Sequence, residues 1–271
     1  MSQLNRNVDR DIFLLPIAQA KAATFVDLYF QSTVLILVHT GSKRVLCPIN
    51  GELVGEVGDA IVFPMGSVVT LENRPVLREN YRATGVCFSL RAIEAVFAND
   101  KPTPRSAGIQ LASDCQAESA QILNAVRDTL SDPNIPEPIR QYRLLEPLVW
   151  LKSRGIYLSP HAEDKPLSKV RRLIQTDLTH PWRSSEVAKH FAVSEATMRR
   201  WLAESGQGFS KILQNTRLEQ GLSLLQSTDT PVADIAFTCG FKTSSHFSDS
   251  FKKRFGLNPS EIRKVEDRSE D

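Results

Sequence analysis

The sequence predicts a two-domain α+β protein, with a β-rich domain over residues 1–160 followed by an all-α domain over 161–271. Three observations carry this. The first hundred residues hold short β-branched and aromatic runs separated by Gly, Asn and Pro, whereas the last hundred hold apolar residues three and four apart. Within the helical region a single layout occurs twice. At 271 residues, with 41% hydrophobic and 24% charged side chains, the composition is that of ordinary globular domains.

Taken in order, Val34–Val38, Arg44–Cys47, Glu52–Val54, Ala60–Phe63, Val68–Leu71 and Ala83–Phe88 read as strands, at a spacing that suits a sandwich or small barrel. Gly58-Asp59 supplies a turn, and Pro64 ends the strand before it. Two helices follow. Residues 116–130 place Ala120, Leu123, Val126 and Leu130 along one face, and residues 139–158 carry Leu144, Leu145, Leu148 and Leu151 around Trp150. Those four leucines are a candidate seam between two copies of the chain; the alternative is packing against their own sheet. The proline-containing stretch 158–166 marks the domain boundary.

The repeated layout runs from Ser184 to Gly206 and again from Val232 to Gly256. Each copy is a short helix with an apolar-Ala pair, a tight turn, and a second helix, which is the helix-turn-helix pattern. In the first, Val187, Ala188, Phe191, Met198 and Leu202 turn inward, leaving Glu195, Ala196, Arg199, Arg200 and Ala203 on the open face. In the second, Ile235, Ala236, Phe247, Phe251 and Phe255 are buried, and Ser244, Ser245, Ser248, Asp249 and Lys252 are open. Ser194 and Thr243 are placed as N-caps, and Thr230-Pro231 as the start of the helix before the second turn. Phe209 to Ser227 reads as a connecting helix with Lys211 and Arg217 outside.

A pair of such readers on a rigid connector suits two adjacent major-groove segments about 34 Å apart. Glu195, Ala196, Arg199, Arg200, Ser244, Ser245 and Ser248 are the residues expected at base edges. Lys189, Lys211, Lys242, Lys252, Lys253 and Arg254, with Arg171 and Arg172, are those expected at phosphates. Charge agrees: residues 165–265 hold 16 Lys+Arg against 9 Asp+Glu, while residues 1–164 hold 16 against 18. The acidic end, Glu266 to Asp271, reads as a frayed tail.

Residues 182–263 resemble the DNA-binding domain of the AraC/XylS family of transcription regulators, most specifically in the run DIAFTCGFKTSSHFSDSFKKRFGLNPSEIRK. The resemblance implies a cytoplasmic, nucleoid-associated activator bound to double-stranded promoter DNA and working with RNA polymerase. Asp249 departs from the basic or neutral residue often found there, which weakens the expectation of base reading by the second copy. The segment GELVGEVGDAIVFPMGSVVTL resembles the repeat of cupin barrels, a fold such regulators often carry first. A cupin-like barrel with a helical dimerisation segment is therefore expected, and a homodimer with it. The whole layout is similar to the virulence-activator branch of the family. This implies either a small, fatty-acid-like effector or control by a protein partner; on charge alone, Lys21, Lys43 and Arg44 are the candidate partners for an effector's carboxylate.

Other classes find less support. No apolar run is long enough to cross a bilayer, and the start MSQLNRNVDRD is too polar for a signal peptide. Cupin enzymes hold a metal with two or three His and a carboxylate; here only His39 lies among the strands, with His161, His180, His190 and His246 beyond them. Nucleophile elbows and phosphate loops are missing too, so no enzyme, metal or cofactor is expected. Cys47, Cys87, Cys115 and Cys239 lack paired spacing and read as reduced, buried thiols.

Overall fold

A computed structural model describes residues 11–100, 108–159, 165–203 and 205–263. These fall into two compact units, 11–159 and 165–263. Of the features anticipated above, residues 160–164 of the boundary segment, His161, the extreme N-terminus and the acidic tail lie outside the described residues.

The first unit begins with β1 (Ile12–Gln19), β2 (Ala23–Tyr29), β3 (Thr33–Thr40), β4 (Ser42–Cys47), β5 (Gly51–Gly55), β6 (Ala60–Phe63), β7 (Val68–Arg74) and β8 (Tyr81–Phe88). Helix α1 (Leu90–Phe97), strand β9 (Gln110–Ala112), α2 (Gln116–Ser131) and α3 (Glu137–Ser153) complete it. The strands make two antiparallel sheets, β1-β8-β3-β6-β9 and β2-β7-β4-β5. The expected barrel is thus two sheets, with no closed ring of strands among the described residues. Each sheet stops at an edge strand, and β1 carries Pro16, which a ladder tolerates at such an edge. The bulge between Phe25 and Leu28 in β2, with Asp27 at a φ of 51°, likewise bends an edge.

Central strand β3 is buried without alternation from Thr33 to Val38 because it is covered on both faces. Leu35 and Leu37 join Val62, Val86, Phe88, Phe97, Leu123, Val126, Leu148 and Leu151 in one core under the three helices. On the other side Ile61 reaches Gly55 of β5, so the two sheets face each other there. Gly58 takes the anticipated turn, with a φ of 91°, and the Asp59 carboxylate closes it by accepting the Glu56 amide at 2.9 Å.

The second unit holds α4 (Pro166–Thr176), α5 (Ser184–His190), α6 (Glu195–Ala203), α7 (Phe209–Ser227), α8 (Val232–Thr238), α9 (Ser244–Phe255) and a 3-10 turn (Pro259–Ile262). Val170 and Ile174 of α4 pack with Val187, Ala188, Met198, Leu202 and Ile212. On the far side of α7, Phe247 lies so close to Gly221 that a methyl group at that glycine would meet its ring.

Candidate nucleic-acid interface

The two turns are built alike to the level of single hydrogen bonds. After α5, Ala192 takes left-handed geometry (φ 53°), its amide donating to Lys189 O and that of Val193 to Ala188 O, both at 3.0 Å. After α8, Gly240 takes the same geometry (φ 78°), with its amide on Phe237 O and that of Phe241 on Ala236 O, both at 2.9 Å. This paired pattern satisfies the last carbonyls of a helix and reverses the chain within a few residues. The second turn carries one residue more, Lys242, before its cap.

Both caps are the anticipated ones. The Ser194 hydroxyl accepts the Thr197 amide at 3.1 Å, and that of Thr243 accepts the His246 amide at 3.2 Å. Helix α8 differs from expectation by one residue: Pro231 stands at its cap and Val232 opens it.

Inward residues fall as the periodicity requires, with Val187, Met198, Leu202, Ile235, Phe247 and Phe251 sealed and Phe191 half-buried. What remains outside is the candidate reading surface. Glu195, Ala196, Arg199 and Arg200 are exposed on α6; Ser245, Asp249, Lys252 and Lys253 are exposed on α9, where Ser244 and Ser248 are half-buried. His246, in the first turn of α9, is exposed as well and is absent from the expected reading face, although its place two residues after the helix start is signal enough. Its ring meets Phe241 edge-on at 5.4 Å. Lys189, Lys211, Lys242 and Arg172 are exposed around these helices.

Three basic residues do not lie where sequence reasoning puts them. Arg171 is buried and pairs with Glu219 at 2.5 Å, and Arg254 approaches the same carboxylate at 3.8 Å with only 10% of its side chain exposed. Both therefore support the scaffold instead of facing phosphate. Arg217, expected outside, is half-buried and donates to Leu178 O at 2.9 Å and His180 O at 2.8 Å. Its guanidinium also lies against Gly240, which ties the segment before the first reader to the turn of the second. Periodicity along α7 places Arg217 and Glu219 on a helix but does not reveal which other segments close over them.

In the first unit, Lys43 and Arg44 are neighbours in β4 and point to opposite faces of its sheet. Arg44 pairs on the surface with Glu52 at 2.6 Å. Lys43 is buried, donates to Asn73 Oδ1 and lies 5.0 Å from the centre of the Tyr81 ring. Burial lowers its pKa to about 7. Asn73 in turn donates to Gln19 Oε1 at 2.8 Å. The backbone carbonyl of Lys21 accepts Gln19 Nε2 at 2.7 Å. Alternation along β4 thus separates the expected carboxylate partners.

The leucine seam also needs correction. Leu148 and Leu151 are fully buried in the core of their own unit, because α3 packs on α1, α2 and the sheet through that face. Leu144 and Leu145 are half-buried and line a cleft of about 660 Å³ with Ile12, Ala92, Leu130 and Arg140. The outer face of α3 shows Ile139, Tyr142 and Val149 instead, with Tyr142 79% exposed.

His39 bonds to Thr84 Oγ1 at 2.8 Å, and its pKa is lowered by burial and by the Arg127 charge. All four cysteines are buried and free, and burial pushes the thiols of Cys87 and Cys239 up to about 12. Among the described residues no group of three His, Cys, Asp or Glu is placed to hold a metal, and no helix is long and apolar enough to cross a membrane.

Residues 187–265 match a family described as a helix-turn-helix domain. The transcriptional regulator SirC of Salmonella typhimurium is 35% identical over 91 residues, 34% of this chain and 31% of SirC. The transcriptional activator RhaS of Escherichia fergusonii is 30% identical over 131 residues, 48% of this chain and 47% of RhaS. The aligned segment thus spans 31% to 47% of the length of these relatives. Over nearly the whole chain the fold is similar to that of ToxT from Vibrio cholerae. A ligand-free variant superposes with a TM-score of 0.70 at 13% identity, over 93% of this chain and 97% of ToxT. The wild type bound to an unsaturated fatty acid gives 0.66 at 13% identity, over 96% and 97%. At such identity the likeness is one of fold: antiparallel sheets first, a helical double-reader domain second.

Proposed function

We propose, for a chain whose C-terminal domain belongs to the AraC/XylS family of transcription regulators, that the protein is a sequence-specific DNA-binding transcription activator. In this reading residues 161–271 bind two adjacent major-groove segments of promoter DNA, and residues 1–160 sense and pair. The observation that carries it is the duplicated turn: two left-handed residues, Ala192 and Gly240, with matching amide bonds, each delivering a capped helix whose open face is polar. Exposed arginines at Arg199 and Arg200 suit guanine N7 and O6. Lys189, Lys211, Lys242, Lys252 and Lys253 suit phosphates. The second reader, with serines and the acidic Asp249, serves mostly as a backbone clamp.

The first unit then answers to a small amphipathic effector, for which the 660 Å³ cleft has ligand-site volume. The bound fatty acid of ToxT, a protein of the same fold, favours this class over control by a protein partner. The exposed face of α3 is the dimer contact of this reading, and RNA polymerase the partner at the promoter. Both act at DNA in the cytoplasm.

The test is a gel-shift with target and scrambled duplexes at one salt concentration. Arg199→Ala is expected to weaken target binding by at least tenfold and scrambled binding little. Equal loss on both would reduce Arg199 to a phosphate contact. A wild type that selects no sequence from a random pool would overturn the function.

A further inference from the structure

The Ser184 hydroxyl, at the start of α5, donates a 2.5 Å hydrogen bond to Oε2 of Glu195, the first residue of α6. Glu195 is exposed and Ser184 half-buried. This bond competes with another arrangement. Arg199 stands four residues after Glu195, the favoured order for an ion pair along a helix. The structure does not form that pair: Arg199 has no side-chain partner among the described residues, and Arg200 reaches only the Thr197 hydroxyl, at 3.4 Å. Ser184 thus holds the carboxylate away from the arginines and leaves their donors open.

A carboxylate at the leading edge of a recognition helix gains nothing from phosphate, whose charge repels it. In the major groove its match is the exocyclic amino group of cytosine. Adenine offers an amino group too, but beside the N7 acceptor, which a carboxylate opposes. We propose that Glu195 reads a cytosine and that Ser184 is the positioning residue that aims it, so that the first reader presents one acceptor ahead of the two guanine-type donors of Arg199 and Arg200. The inference rests on the DNA-reading function above and deepens it.

The experiment selects duplexes from a random pool with the full-length wild type and with Glu195→Gln, Ser184→Ala and Ser184→Thr, and then measures binding to duplexes differing at the one selected base pair. Wild type is expected to require cytosine at one position under α6. Glu195→Gln should move the preference there to adenine, whose N6 and N7 suit an amide. Ser184→Ala should lose about tenfold of the discrimination while binding scrambled DNA as before, and Ser184→Thr should keep it. The salt dependence of binding should be the same in all four, since no phosphate contact is removed. Retention of a cytosine preference by Glu195→Gln would overturn the proposal. So would equal weakening on every duplex together with a lowered melting temperature, the mark of a purely structural bond. A wild type with selective binding but no cytosine under α6 would overturn it while leaving the DNA-reading function intact; one with no selectivity would overturn both.

Discussion

Glu219, in the middle of α7, meets Arg171 of α4 at 2.5 Å with both side chains nearly sealed from water, at 5% and 3% exposure. Arg254 closes on the same carboxylate from the recognition helix α9. One buried anion therefore joins the helix before the first reader to the helix of the second. Such a cluster costs much desolvation, so its strength lies in completeness, not in net stabilisation.

Glu219→Leu leaves two buried guanidinium groups without their anion and is expected to destabilise the reader domain by about 3–5 kcal/mol. Urea unfolding followed by the fluorescence of Trp182 and Trp201 measures it. Adding Arg171→Met and Arg254→Met should recover most of the loss, because the penalty comes from buried charge that has lost this carboxylate. A triple variant as weak as the single one would show that the arginines pack chiefly through other contacts.

The two left-handed turn residues should respond in opposite senses. Ala192 carries a Cβ at a φ of 53°, so Ala192→Gly is expected to stabilise by about 1 kcal/mol. At Gly240 a Cβ would collide with the carbonyl oxygen of Leu178 and with Arg217 as well as adopt the same strained geometry. Gly240→Ala should therefore cost several times as much, on the order of 3 kcal/mol or more. Thermal unfolding of both variants decides it, and a neutral Gly240→Ala would refute the tight fit.

Lys43 makes stability depend on pH. Its pKa is about 7 when folded, against an ordinary 10.5, and its neighbours from other strands are the uncharged Asn73, Gln19 and Tyr81. Between these values the unfolded chain keeps a proton that the folded chain releases. Stability from this group therefore rises as pH goes from about 7 to about 10.5, and below 7 the penalty for burying the charge is constant. Lys43→Met should flatten the rise, by a few kcal/mol over the window. Denaturation of wild type and variant from about pH 7 to about pH 10 tests this, and parallel slopes would count against a neutral buried lysine.

Core and surface of α3 separate on mutation. Leu148→Ala removes a fully buried side chain and should cost about 2–5 kcal/mol without altering self-association. Tyr142→Glu, on the exposed face, should leave stability nearly unchanged and weaken pairing. Sedimentation at several concentrations distinguishes them; a Tyr142→Glu protein that pairs like wild type would place any dimer contact elsewhere.

The readers are legible in sequence because their determinants are local. The helical spacing of apolar residues, the Ser194 and Thr243 caps and the limits of α7 all follow from neighbours within a few residues, and the structure reproduces each. The first two strands are not legible, since Pro16 and the bulge around Asp27 break the alternation that marks a strand, and only their edge positions in the sheets make them tolerable.

By itself, then, the sequence determined the division into a strand-rich and a helical domain, the duplicated helix-turn-helix and the apolar side chains that each copy buries. Tertiary structure decided which charges are free to act. It drew Arg171, Arg254 and Arg217 onto α7, set Lys43 inside the first unit while its neighbour Arg44 stayed outside, turned Leu148 and Leu151 into core, and gave Glu195 its partner in Ser184. The physical reason is range. Helical periodicity and capping act over three or four residues, whereas the pairing of a charge depends on segments 11 to 48 residues away that only the folded chain brings within hydrogen-bond distance.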